Sequence, residues 1–144
     1  MGEWKKGSTV VSAPAEQCQC TILIIDDNDD LRGTFIDLLT LMGFRSFLEA
    51  RNGIEGVKVY VEHIDEIKLI ILDLEMPEMD GAAFFREFLR INQGRQRAKV
   101  LLATGNFQCE VVKQLLKEGL DMVIPKPSPL EVIQKDVREF IGSR

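Results

Sequence analysis

Apolar residues fall along the chain in two alternating rhythms. Short runs such as "TILII" (21–25), "LIIL" (69–72) and "VLLA" (100–103) are apolar at successive positions, which suits strands covered on both faces rather than one. Between them lie longer stretches with apolar residues three or four apart. One sets Leu31, Phe35, Leu38, Leu39 and Met42 on a single helical face, leaves Arg32 and Asp37 off it, and stops at Gly43. Another repeats the pattern with Leu130, Ile133, Val137, Phe140 and Ile141. The rhythm predicts strands near 21–26, 45–49, 68–73, 99–104 and 122–125, and helices near 29–43, 53–63, 81–92, 107–118 and 128–141.

A strand followed by a helix, five times over, builds a doubly wound α/β sandwich around a parallel sheet. Pro125 removes a ladder donor from the fifth strand, which is therefore expected at an edge. Residues 1–19 carry Gly, Ser, Thr, Pro and Lys without a sustained period and read as a tail or linker, so the folded domain is expected over 20–142.

Composition narrows the function. A chain of 144 residues fits one domain with one core. A net charge of -5 offers no basic field for nucleic acid. No apolar stretch approaches the ~20 residues a membrane span needs, and "MGEWKKGSTVVSAPAEQ" lacks the apolar middle of a secretory signal, so a cytoplasmic location is expected. Cys18, Cys20 and Cys109 are an odd number in a chain with an ample core and read as reduced thiols. Two of them with the distant His63 make a poor zinc site; His63 reads as a surface residue near a helix end.

The chemistry gathers at strand ends. Asp26 and Asp27 close the first strand, Asp73 the third, Thr104 the fourth and Lys126 the fifth. In an open parallel sheet these ends share one edge, where ligands bind at the switch in strand order. Three carboxylates brought together there repel one another unless a cation neutralises them. Mg2+ suits such hard oxygen ligands. Lys126 adds a point charge for a phosphoryl oxygen and Thr104 a hydroxyl donor. Carboxylate nucleophile, metal, lysine and hydroxyl are the parts for phosphoryl transfer to an aspartate.

In "IIDDN", "LIILDLEMPEMDG", "LLATG" and "IPKP", in that order, the chain resembles the receiver domain of two-component response regulators over about residues 20–142. The resemblance implies a flavodoxin-like fold with strand order 2-1-3-4-5. It implies that Asp73 is the phosphoacceptor, that Asp26 and Asp27 hold Mg2+ with Asp73, and that the backbone carbonyl of Glu75 completes the metal shell. Thr104 is similar to the switch hydroxyl, and Lys126 to the lysine that pairs with the acceptor. The implied phosphodonor is a histidine kinase or histidine phosphotransfer domain. The only catalysis implied is the chain's own phosphorylation and dephosphorylation. A downstream protein or a second copy would dock on the face made by the fourth helix, fifth strand and fifth helix, with no direct contact to nucleic acid or membrane. The resemblance and the tight turn together imply a cis Lys126–Pro127 bond. Two departures stand out: Val123 replaces the aromatic expected three residues before the lysine, and Pro125 directly precedes Lys126. "KKGSTVVSAPA" resembles the closing strand of a kinase ATP-binding domain, the mark of a hybrid histidine kinase, or is an ordinary linker.

Single residues have plainer readings. Asp27, Asn28 or Asp29 could cap the first helix, and Asp73 alone could form a turn. "DDNDDLRGTFID" mimics a calcium loop, but Leu31 stands where glycine is needed and a strand precedes it. A flavin domain of this fold needs a phosphate cradle that "DDNDD" would repel. An aspartate-nucleophile phosphatase would carry its metal acids late in the chain rather than first. A non-phosphorylated pseudo-receiver scaffold would not need the complete reactive set.

Overall fold

The computed structural model describes residues 20–105, 108–126 and 134–139. The elements alternate as β1 (Thr21–Ile25), α1 (Asp29–Leu41), β2 (Ser46–Ala50), α2 (Gly53–Glu62), β3 (Ile67–Asp73), α3 (Gly81–Ile91), β4 (Lys99–Thr104), α4 (Glu110–Lys117) and β5 (Met122–Pro125), with residues 134–139 helical as α5. The strands form one sheet in the order β2-β1-β3-β4-β5, parallel throughout. This is the flavodoxin-like arrangement, with β5 and its terminal Pro125 at an edge.

Successive apolar residues feed two cores. Leu23, Ile25, Ile70, Leu72 and Leu102 face the layer of α2, α3 and α4, where Tyr60, Phe84, Phe85, Phe88, Val112 and Leu115 are buried. Ile22, Ile24, Leu69, Ile71, Leu101 and Ala103 face the other layer, with Phe35, Leu38, Leu39 and Val137. The first core is aromatic: Phe88 lies 5.1 Å from the Tyr60 ring and 5.9 Å from Phe85, centre to centre. Burying each such ring contributes roughly 1.5–3 kcal/mol. The Tyr60 hydroxyl donates to Asn92 Oδ1 at 2.9 Å inside this core.

Boundaries shift by a few residues from expectation, for local reasons. The fourth helix begins at Glu110 because Cys109 takes extended backbone as its N-cap. The first ends as expected, since Gly43 adopts a positive φ of 103° that halts the helix. His63 caps the end of α2 and pairs with Glu66 at 2.9 Å, while Cys20 and Cys109 are free thiols. Among the described residues no helix is long and apolar enough to cross a membrane.

One expectation fails. Arg32 does not lie off the apolar face of α1 but is buried. Counting from Arg32 to Phe35 and Leu39 gives steps of three and seven, which keep all three on one side of a helix. The expected tail over 1–19, the cis bond at Pro127 and most of the last helix lie outside the described residues.

Candidate functional site

Since β1 sits between β2 and β3, the strand order reverses beside it, and the crevice opens at the carboxyl ends of β1 and β3. Asp26 leaves β1 with its amide still donating to Ala50 O at 3.0 Å on β2. Its Oδ1 then accepts from Asn28 N at 2.9 Å, a local turn that starts the loop. Asn28 in turn caps α1 by accepting from Leu31 N at 3.1 Å. Among Asp27, Asn28 and Asp29, capping therefore falls to Asn28.

The carboxylates of Asp26, Asp27 and Asp73 each place an oxygen within 4.8 Å of the others. Asp26 and Asp73 are buried, whereas Asp27 faces solvent. Lys126 bridges the two buried acids, donating from Nζ to Asp73 Oδ1 at 3.1 Å and to Asp26 Oδ2 at 3.2 Å. Its main-chain amide donates to Thr104 O at 2.8 Å, so the end of β4 holds the lysine's backbone. Thr104 itself is buried at that end.

Electrostatics follow from this crowding. Burial pushes the Asp73 carboxyl above its ordinary range and the charge of Asp26 pushes it further, with a smaller push from Asp27; the hydrogen bond and charge of Lys126 offset these only in part. Burial alone would lower the Lys126 ammonium, but its bond to Asp73 and the charges of Asp73 and Asp26 outweigh burial and raise it. The donor set is three hard carboxylates, two of them bridged by the Lys126 ammonium, which fits a divalent ion with oxygen preference.

The loop after β3 is tightly tethered. Gly81 N donates to Leu74 O at 2.8 Å, and Gly53 N at the start of α2 donates to Met79 O at 2.9 Å. A Cβ on Gly81 would stand 2.3 Å from Asp73 O, so glycine is required there. Glu78 takes φ 70°, and its carboxylate accepts from Asn52 Nδ2 at 3.1 Å. Glu75 lies in this loop with an exposed side chain, outside the carboxylate cluster. Val123 is half-buried on β5, opposite Leu102.

Sequence reasoning brought Asp26, Asp27, Asp73 and Lys126 together correctly and missed Arg32. Arg32 Nη1 donates to Asp26 O at 2.6 Å and Nε to Glu49 Oε1 at 2.8 Å, and Nη2 pairs with Asp29. A cation placed three and seven residues before apolar positions was the available signal.

The chain belongs to the response regulator receiver domain family, whose model matches residues 22–138. It is similar to the chemotaxis protein CheY of Bacillus subtilis, 33% identical over 121 residues that cover 84% of this chain and 97% of that protein. It is also similar to CheY of Thermotoga maritima, 32% identical over 114 residues, covering 78% and 91%. Among solved structures, it resembles a chain of the CheX–CheY–BeF3–Mg2+ complex from Borrelia burgdorferi with a TM-score of 0.75 and 26% identity, covering 86% of this chain and 87% of that one. The signal receiver domain of a signal transduction histidine kinase from Syntrophus aciditrophicus gives a TM-score of 0.72 at 29% identity, covering 86% and 91%.

Proposed function

We propose that Asp73 accepts a phosphoryl group from a phosphohistidine of a histidine kinase or phosphotransfer domain, and that the domain thereby acts as a switch or relay. One observation carries the reading: a buried aspartate at a strand end lies 3.1 Å from a lysine ammonium and shares its crevice with two further carboxylates. An Asp73 carboxylate oxygen attacks phosphorus, the P–N bond breaks, and its electron pair leaves on the imidazole nitrogen. Lys126, held protonated by its acidic neighbours, faces the charge that develops on the phosphoryl oxygens. Thr104, at the adjoining strand end, is the hydroxyl that would meet the phosphoryl group.

Asp26, Asp27 and Asp73 would hold Mg2+, with the Glu75 carbonyl as the expected fourth protein ligand. When bound, that ion supplies neutralising charge and a template for phosphoryl oxygens. The naming of Mg2+ and BeF3 in the similar Borrelia complex supports this choice. Catalysis extends only to the domain's own phosphorylation and dephosphorylation. A partner protein or a second copy docks on the face of α4, β5 and α5, where Val111 and Leu116 are exposed.

Intact-mass analysis with acetyl phosphate and Mg2+ tests the reaction. One added phosphoryl group is expected, absent in Asp73→Asn and strongly reduced in EDTA. Equal labelling of Asp73→Asn, or labelling undiminished by EDTA, removes Asp73 or the metal from the role.

A further inference from the structure

We propose that Arg32 is a positioning residue of the metal site: it fixes the peptide joining Asp26 to Asp27, and Glu49 of β2 holds Arg32 in place. This rests on the reading that Asp26 and Asp27 hold the divalent ion.

Arg32 is 7% exposed, although arginine on a helix normally reaches solvent. A guanidinium stays buried only where acceptors replace its water. Its fork has three here, and the one it meets at 2.6 Å is the carbonyl oxygen of Asp26. That oxygen belongs to the planar unit linking Asp26 to Asp27, so fixing it sets the direction in which both residues leave the backbone. The amide of Asp26 is already held by Ala50 O at 3.0 Å. The entry to the acidic loop is thus held on one side by the β2 backbone and on the other by Arg32.

The remaining bonds aim the guanidinium. Nε donates to Glu49 at 2.8 Å, and Nη2 reaches the exposed Asp29. Glu49 pairs in register with Ile24, two residues before Asp26, so the carboxylate that orients Arg32 rides on the strand next to the site. A simple tie between α1 and β2 would need only Glu49. The bond to Asp26 O adds what a metal site needs, a ligand-bearing turn held in one geometry before the ion arrives.

Arg32→Lys keeps the charge but not the fork, Arg32→Met keeps the packed stem alone, and Glu49→Gln keeps an acceptor for Nε. Each is compared with wild type by calorimetric Mg2+ titration at a temperature where its melt in EDTA shows it folded. The Mg2+ dependence of labelling by acetyl phosphate is followed in parallel. Both Arg32 variants should bind Mg2+ about 10-fold or more weakly, the usual cost of losing an outer-shell partner, and Glu49→Gln should stay near wild type. Labelling should need correspondingly more Mg2+ yet reach a maximal rate close to wild type. Should Arg32→Met fail to fold, Arg32→Lys and Glu49→Ala decide, both with weakened binding. Folded Arg32 variants with wild-type Mg2+ affinity overturn the proposal and leave Arg32 a tie between α1 and β2. Wild type that does not bind Mg2+ overturns the metal reading itself, before any variant is made.

Discussion

Replacing Asp73 by Asn removes one charge from the crevice while keeping its shape and an oxygen for Lys126. In the metal-free protein the Asp73 carboxyl titrates above its ordinary range, first because it is buried and next because of Asp26. The native state therefore binds that proton more tightly than the unfolded chain. Between the ordinary carboxylate pKa and the raised native one, the native protein carries more protons, so stability falls as pH rises through that window; above it the full penalty of ionised Asp73 remains. Asp73→Asn has no such penalty. In EDTA at pH 8 it should melt above wild type, and the gap should close as pH falls toward the ordinary carboxylate range. Mg2+ works against that gap. At ten times its dissociation constant, an ion that binds only the folded state adds about 1.4 kcal/mol. Over the 22–138 stretch, about 2.1 cal/mol/K of unfolding entropy per residue amounts to about 0.25 kcal/mol/K, so wild type should gain roughly 5–6 °C. Asp73→Asn, with one carboxylate fewer, should gain less than half of that. Thermal melts of both proteins between pH 5 and 8, in EDTA and in Mg2+, measure every term. An Asp73→Asn protein less stable than wild type in EDTA at pH 8 would mean that the Asp73–Lys126 pair outweighs the crowding, and an equal Mg2+ gain in both would take Asp73 out of the metal site.

Three further outcomes follow from particular contacts. Gly81→Ala places a Cβ against the backbone of Asp73 and Leu74, and should cost about 1–3 kcal/mol in urea unfolding; an unchanged midpoint would show that this backbone yields freely. Tyr60→Phe leaves Asn92 Oδ1 without its buried donor and should cost about 1–3 kcal/mol by the same measurement, whereas a neutral result would mean that the amide finds another partner. Glu78→Gly relieves a left-handed backbone at φ 70° and should raise stability by up to about 1 kcal/mol, a gain that a loss of melting temperature would contradict by making the Asn52 bond the larger effect.

The elements and their order were legible because they rest on local periodicity. "TILII" and "LIIL" could only be strands covered twice, and the two buried clusters on either side of the sheet bear this out. The convergence of Asp26, Asp73 and Lys126 was legible too, since a parallel sheet brings all strand ends to one edge. What escaped is set by contacts between distant residues. Arg32 was placed with the polar face because its residue type outweighed its position, yet its three acceptors, from the loop, the helix and β2, meet only in the folded chain. The need for glycine at 53 and 81 likewise comes from backbone atoms at Met79 and Asp73, which no spacing rule brings together.

The tether of the loop after β3 makes the crevice mechanically one-sided. Residues 74–80 are closed into a ring by the Gly81–Leu74 bond and tied to α2 through Gly53 and Asn52, so the stretch leaving Asp73 has little slack to carry a displacement. Lys126 is a lever by comparison. Its ammonium grips Asp73 and Asp26 while its amide holds the end of β4, so any pull on the side chain is felt at Thr104. A displacement begun at Asp73 would then pass through Lys126 to the end of β4 more readily than through the loop to α2, because only the loop side is bolted down.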